Sequence, residues 1–307
     1  MTMIEIIGLG AALRRGLAMA TMLVGITSAA APGSPDTTFG AGNGVIFTSA
    51  GLGRSLGIAA TGDGKIVRGV LTNYSTANVF RYRDDGTLDT SFNSTGRSVD
   101  VALPPLFEGG FINHVARATT VQPDGKALFM LTGERNIAGS GTTHQTGALV
   151  VRVSANGTVD SAFGTNGIAT VEPSANAESK FVGLAMQPDG KILVAGLCVG
   201  TPCAVRLLPN GSPDAGFGVN GIANHSTAIG GGSVTSITAL PDGRILMGGV
   251  CSAVGGAQPG FCASRFTATG TTDTAYASSG IARVLIPGTT GPFTAQLALG
   301  PDGSVLL

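Results

Sequence analysis

Four arginines each stand eight residues ahead of an aspartate: Arg81 and Asp89, Arg152 and Asp160, Arg206 and Asp214, Arg265 and Asp273. A guanidinium and a carboxylate held at fixed spacing make a charge-assisted ion pair. Four such pairs could form a ring that grips a charged ligand. They could equally tie each of four strands to the loop that follows it. A catalytic site gathers unlike groups in one place, whereas a scaffold device is repeated, so the recurrence predicts structural ion pairs. The four cysteines carry a second pattern. Cys198 lies seven residues after Lys191 and Cys251 seven after Arg244, while Cys203 lies three before Arg206 and Cys262 three before Arg265. Thiols at equivalent places on either side of one hairpin read as local disulfides in an exported protein. Of the three possible connectivities, the shared register picks Cys198–Cys203 and Cys251–Cys262. A zinc site is the alternative, but it lacks Cys-x-x-Cys spacing and would need atoms from two repeats.

Other chemistry-bearing residues are scattered. Calcium loops gather several oxygen ligands at alternate positions. The turns here carry one Asp each, with Asp84-Asp85-Gly86 the one close pair, so no metal and no cofactor are expected. His114, His144 and His225 occupy no equivalent positions and are expected in surface loops. Gly53-Arg54-Ser55-Leu56-Gly57 matches the Gly-x-Ser-x-Gly elbow of hydrolases, but that motif needs a strand–turn–helix context and no helical pattern follows. No catalytic residue is assigned. An enzyme would have to assemble its site from Glu108, His114, Glu134, Arg135, His144 and Glu172.

The elements that position these residues are set by internal repetition. The phrase running from Asn156 through Asp160, Phe163 and Gly164 to Gly167 recurs from Asn210 through Asp214, Phe217 and Gly218 to Gly221. Weaker copies occupy residues 85–96 and 269–280, and a headless copy occupies residues 34–44. A second phrase, Pro-Asp-Gly or a variant, ends at Gly64, Gly125, Gly190, Gly243 and Gly303. One repeat reads as a strand over 181–186, a Pro188-Asp189-Gly190 turn, a second strand over 191–197, a third over 203–208, and a fourth beginning near Gly221. Four short meander strands per repeat describe a propeller blade, so the fold class expected is all-β: a β-propeller of about five blades, the last one incomplete.

Composition agrees. The 307 residues include 49 Gly and no Trp, the net charge is zero, and 12% of residues are charged. Nucleic acid and anionic membranes demand a basic face, so neither is expected as a partner. Arg14 and Arg15, an apolar run over 16–26, and Ser28-Ala29-Ala30 read as an export signal over residues 1–30, with the propeller over 31–307. No other membrane span is expected, and the protein is expected to be secreted, periplasmic or on the cell surface.

Three phrases together, Gln187 to Gly196, Ala204 to Leu207, and Asn210 to Gly218, resemble the bacterial delta-60 repeat. The resemblance covers the chain after the signal. It implies a β-propeller of unknown function and brings no catalytic residues. Blade two departs most, with Phe129-Met130 where the pattern has Val194-Ala195.

Strand parity places all repeated phrases at one end of the blades. The irregular connections, 103–113, 133–147, 172–180 and 228–232, fall at the other. Binding residues favour variable loops on a rigid scaffold. Phe107, Phe111, His114, Arg135 and His144 are therefore candidate interaction residues for an unknown protein or carbohydrate. Fourth strands are expected to begin at Gly44, Gly96, Gly167, Gly221 and Gly280, and first strands near Leu56, Val115, Val182, Val234 and Phe293. Asp36 has Ser28 rather than arginine eight residues earlier, and the chain stops at Leu307 within a second strand. The expectation is a chain cut before its last third strand, whose missing strand would meet the segment near Val45. The function expected is a non-enzymatic binding or surface-interaction module. The alternatives are an extracytoplasmic hydrolase or lyase acting on a glycan or peptide, and a structural spacer in an adhesin.

Overall fold

A computed structural model describes residues 36–40, 42, 45–46, 53–73, 75–104, 115–136, 143–173, 179–224, 232–251, 260–285, 297–299 and 305–306. The elements in it are strands, and they form a β-propeller. The first blade holds β1 (Arg54–Ala60), β2 (Ile66–Asn73), β3 (Thr76–Tyr82) and β4 (Val101–Ala102). The second holds β5 (Val115–Val121), β6 (Ala127–Asn136), β7 (Thr143–Val153) and β8 (Ile168–Val171). The third holds β9 (Ser179–Met186), β10 (Ile192–Cys198), β11 (Thr201–Leu207) and β12 (Ile222–Asn224). The fourth holds β13 (Ser233–Ala239), β14 (Ile245–Cys251), β15 (Gly260–Phe266) and β16 (Ile281–Leu285). A further pair, β17 (Ala298–Leu299) and β18 (Val305–Leu306), makes a two-stranded fifth sheet. Every sheet is an antiparallel meander in chain order. The first strands β1, β5, β9 and β13 touch in succession, which places them innermost.

Alternation along each strand explains how the sheets stack. Phe129 and Leu131 of β6 face blade one and join Leu56, Val67 and Val79. Leu128 and Met130 face blade three and join Ile192, Val194 and Val205. Leu193 and Ala195 of β10 then face Val234, Ile245 and Met247 of blade four. Middle strands buried on both faces must be apolar, and β10, β14 and the first half of β6, residues 127–131, read so. The bulky Phe129-Met130 pair of blade two is thereby split between two interfaces.

Asn-Gly dipeptides at the ends of the repeat phrases have a backbone reason. Asn166 and Gly167 have φ of 52° and 89°, and Asn220 and Gly221 have 54° and 88°. Asparagine and glycine tolerate this left-handed region, where other residues are strained. Fourth strands follow at once in blades two to four, at Ile168, Ile222 and Ile281. Blade one departs from the expected start at Gly96. Its strand β4 begins at Val101, because the Ser98 hydroxyl, rather than a carbonyl, accepts the Val79 N–H at 2.9 Å and interrupts the ladder. Val45 and Ile46 lie in no strand, and Gly44 and Phe293 lie outside the described residues. The expected 133–147 loop is mostly hairpin, since β6 runs on to Asn136 and β7 starts at Thr143. The signal segment also lies outside the described residues.

Cys198–Cys203 and Cys251–Cys262 are disulfide-bonded, each with Cα atoms 5.7 Å apart. Each joins a diagonal pair: Cys203 sits opposite Gly196, and Cys262 opposite Gly249. In blade one the corresponding positions are Thr72 and Asn78, and there the Thr72 hydroxyl donates to the Asn78 side-chain oxygen. One diagonal position of the hairpin is thus closed by a disulfide in two blades and by a part-buried hydrogen bond in another.

Blade stacking also sets the tolerance of glycines with positive φ. A Cβ on Gly211 (φ 87°) would meet Gly164 N at 2.8 Å and the Phe163 ring at 2.9 Å, whereas one on Gly200 (φ 76°) would meet nothing within 4 Å. Gly200→Ala should cost about 1–2 kcal/mol from backbone strain alone. Gly211→Ala should lose that and about 1–3 kcal/mol more from forced repacking. Urea unfolding of the two variants checks the difference, and equal losses would refute this reading of the interface.

Candidate functional site

The chemistry-bearing residues of the described structure gather where the third strand of each blade runs out toward the next. In blade three, Arg206 near the end of β11 donates from Nε to Asp214 Oδ2 at 2.9 Å. Its Nη1 donates to Gln187 Oε1 at 3.1 Å and to the Ala268 carbonyl of blade four at 2.5 Å. The guanidinium carbon lies 4.3 Å from the centroid of the Phe217 ring. Lys191 places a second cation 3.3 Å from the same Asp214 oxygen. Asp214 Oδ1 accepts the Gly216 N–H at 3.1 Å, which closes the turn carrying Phe217.

The cluster recurs. Arg81 reaches Asp89 at 2.8 Å, the Ala155 carbonyl of blade two at 2.8 Å, and the Phe92 ring at 4.6 Å. Arg152 reaches Asp160 at 2.9 Å, the Pro209 carbonyl of blade three at 2.6 Å, and the Phe163 ring at 4.4 Å. Arg265 reaches Asp273 at 2.7 Å, with Tyr276 in the place of the phenylalanine at 4.4 Å. Lys65, Lys126 and Arg244 supply the second cations at 3.3, 3.4 and 3.5 Å. A reading in which each arginine ties only its own strand to its own loop is therefore too narrow. In three blades the guanidinium also bonds the neighbouring blade.

The second cations and the carbonyl acceptors escape a reading by spacing. The lysine or arginine stands between 23 and 34 residues ahead of its aspartate, because the hairpin between them varies in length. The acceptors are backbone atoms of the next repeat, to which side-chain identity gives no clue. A usable signal is the cation that directly follows the Asp-Gly turn in four repeats: Lys65, Lys126, Lys191 and Arg244.

These contacts fix protonation. Burial alone would raise the Asp89 carboxyl, but Ser91, Lys65 and Arg81 overcome it and hold the group well below the usual carboxylate range. Burial likewise opposes ionisation of Asp160 and Asp214, and the charges of Arg152 with Lys126 and of Arg206 with Lys191 lower both. Groups locked as charged pairs are poor proton donors or acceptors near neutral pH.

The other candidates are dispersed. Phe107, Phe111 and His114, with Glu108 and His225, lie outside the described residues. Arg135 and His144 are opposed in register near the tip of the β6–β7 hairpin. Antiparallel order puts that tip and the β4–β5 connection at the same end, away from the arginine clusters. Ser55 of the elbow-like sequence lies inside β1, which runs on to Ala60 rather than turning into a helix. A cavity of about 510 Å³ opens beside Ala277, Ser278, Ile281, Ala282 and Arg283 at the outer strand of blade four, and these described residues bring no acid–base pair to it. Among the described residues no three His, Cys, Asp or Glu side chains are grouped so as to hold a metal ion. No described helix is long and apolar enough to cross a membrane.

A family model described as a domain of unknown function, DUF5122, β-propeller, matches residues 61–92 and 187–217. Each match runs from the first turn of a blade to the repeat phenylalanine and so spans one arginine cluster. No curated protein matches the chain. Similar solved structures include a protein of unknown function from Bacteroides caccae, 18% identical over 83% of this chain and 70% of that one, with a TM-score of 0.45. A gluconolactonase from Xanthomonas campestris is 15% identical over 81% of this chain and 66% of that one, with a TM-score of 0.40. A PQQ-bound aldose sugar dehydrogenase from Streptomyces coelicolor is 14% identical over 78% of this chain and 69% of that one, with a TM-score of 0.43. Likenesses at these scores carry no argument about activity.

Removing one arginine leaves a buried carboxylate short of a cation and a neighbouring carbonyl without its donor. Arg206→Ala should destabilise the protein by on the order of 3–5 kcal/mol, read as a fall in melting temperature. Because the aspartates titrate lower in the folded state than their unfolded value of 3.8, they contribute stability that is complete well above pH 4. That stability is lost as pH falls from there through the folded values. The melting temperature should therefore hold from pH 7 to about 5 and drop below about 4. The drop should be shallower in Arg206→Ala, and a variant as acid-sensitive as the parent would contradict the role given to Asp214.

Proposed function

We propose that the protein is an exported, non-enzymatic binding or surface-interaction module of delta-60 type, with the loop end of the propeller as its working surface. The observation that carries this reading is the repetition of the chemistry. The clustered aspartates and their cations occur once per blade and are bonded into the stack. Substrate chemistry needs unlike groups converging on one point, which the described residues do not bring together. Two buried disulfides support a destination in an oxidising compartment, where such bonds persist. Export through residues 1–30 would deliver the chain there. The partner class proposed is a protein or carbohydrate, because a chain of zero net charge lacks the basic field that nucleic acids and anionic lipids require.

The loop end has the features expected of an adaptable surface. The turn end is uniform from blade to blade, while the opposite connections differ in length: two residues between β10 and β11, six between β6 and β7, and twelve between β4 and β5. Such variation is tolerated where the chain packs against little else.

Replacing residues 105–114 and 137–142 by short turns should leave the melting temperature and the disulfides intact. It should also abolish binding to whichever immobilised polysaccharide or cell-surface protein fraction the parent retains. Undiminished binding by the shortened protein would remove the loop end as the interaction surface. Turnover of a glycan, lactone or peptide by the parent, lost on the same replacement, would replace the binding reading with an enzymatic one.

A further inference from the structure

The segment before blade one repeats the arginine cluster without its arginine. Asp36 Oδ1 accepts the Thr38 N–H at 2.9 Å and the Thr38 hydroxyl at 2.6 Å, as Asp89 Oδ1 accepts those of Ser91 at 3.1 and 2.6 Å. The Phe39 N–H donates to the Asp36 carbonyl at 3.1 Å, as Phe217 does to Asp214 at 3.0 Å. The Gly40 N–H donates to the Asp85 carbonyl of blade one at 2.9 Å, as Gly164 does to Asn210 at 2.7 Å and Gly218 to Thr269 at 2.8 Å. Gly40 also closes on the backbone of Val45 as Gly164 closes on Ile168 and Gly218 on Ile222. Residues 36–40 therefore stand against blade one as each complete cluster stands against the blade after it.

In the complete clusters the arginine Nη1 bonds the carbonyl of the residue just before the one that receives the Gly or Asn N–H: Ala155 before Asn156, Pro209 before Asn210, and Ala268 before Thr269. The equivalent atom here is the Asp84 carbonyl. Asp36 Oδ2, the oxygen that elsewhere takes the arginine Nε, has no partner among the described residues, and position 28 is serine. Asp36 is exposed and Phe39 half-buried, whereas Phe92, Phe163 and Phe217 under their arginines are buried. A carboxylate, an aromatic face and a carbonyl are thus set out in the arrangement that holds a guanidinium at Arg81, Arg152 and Arg206.

We propose that Asp36, Phe39 and the Asp84 carbonyl form an arginine-accepting surface, and that its occupant is a peptide β-strand with an arginine placed as on β3, β7, β11 and β15. Charge complementarity selects the arginine, since the carboxylate and the carbonyl both face the donor edge of a guanidinium. The strand is needed because each internal arginine reaches its cluster from the last residues of a paired third strand. A free guanidinium would have to supply that positioning itself and lose the corresponding freedom on binding.

The test uses the full chain and a synthetic peptide of residues 143–154, which carries Arg152 in its own strand context. Fluorescence anisotropy should show saturable binding that weakens at least tenfold with the peptide bearing Arg152→Ala. Binding should weaken by a similar factor with protein bearing Asp36→Ala, and Asp36→Glu should restore part of it. Asp36→Ala should leave the melting temperature within a degree of the parent, which separates loss of the surface from loss of the fold. No binding by the parent, or binding indifferent to both substitutions, would overturn the proposal. Equal binding of arginine amide alone would overturn the strand requirement.

Discussion

A guanidinium held between two blades is the interaction on which the rest of this propeller depends. Apolar faces such as those around Phe129 and Leu193 drive the sheets together, but that force has no direction and would tolerate sliding or rotation. The arginine removes the freedom. Its Nε is fixed by an aspartate of its own blade, its Nη1 by a carbonyl of the next, and its face by a phenylalanine. Each donor direction of a planar fork points to a different part of the structure, which a lysine could not reproduce. Burying charges is costly unless their partners are complete. The cluster meets that condition with a second cation and backbone N–H groups on the aspartate. Its main contribution is therefore to blade angle and register rather than to net stability.

The two ends of the stack follow from this placement. Arginine clusters, Asp-Gly turns and Asn-Gly turns occupy one end and must stay uniform, because three blades are bonded there to the next. Toward the other end the hairpin is closed locally, and local closure can vary in chemistry. Cys198–Cys203, Cys251–Cys262 and the Thr72–Asn78 hydrogen bond occupy one diagonal position in three blades. In blade two the hairpin instead lengthens to Asn136 and Thr143. A stack locked at one end can carry connections of unequal length at the other, and this asymmetry is what makes the loop end the candidate interaction surface.

Much of the fold was legible because repetition multiplies weak signals. A single Pro-Asp-Gly turn says little, but such a turn followed by a cation and an apolar strand in four repeats fixes the meander. The disulfides were legible for the same reason, since Cys198 and Cys251 share an offset from the cation after the turn. The interaction between blades was not. Ala155, Pro209 and Ala268 contribute backbone carbonyls, and nothing about alanine or proline announces an acceptor. Ser98 was equally silent: a hydroxyl taking a carbonyl's place in a ladder delays β4 by several residues, and its sequence neighbours give no warning. The loop residues Phe107, Phe111 and His114 belong to connections with no repeat counterpart, so repetition offers no purchase on them.

Repetition also bears on what the protein can do. Chemistry on a substrate requires groups of different pKa brought to one point, each free to exchange protons or donate electrons. The repeat aspartates of the arginine clusters are in the opposite condition. Asp89, Asp160 and Asp214 are pulled low by cations that also hold the stack, so recruiting one of them for catalysis would loosen two blades. Selection can alter the far end without this penalty, because the arginine bonds between blades lie at the other end. A propeller built in this way is suited to presenting changeable loops on an invariant frame, and the cluster without its arginine, at Asp36 and Phe39, is the place where the frame itself can engage another strand.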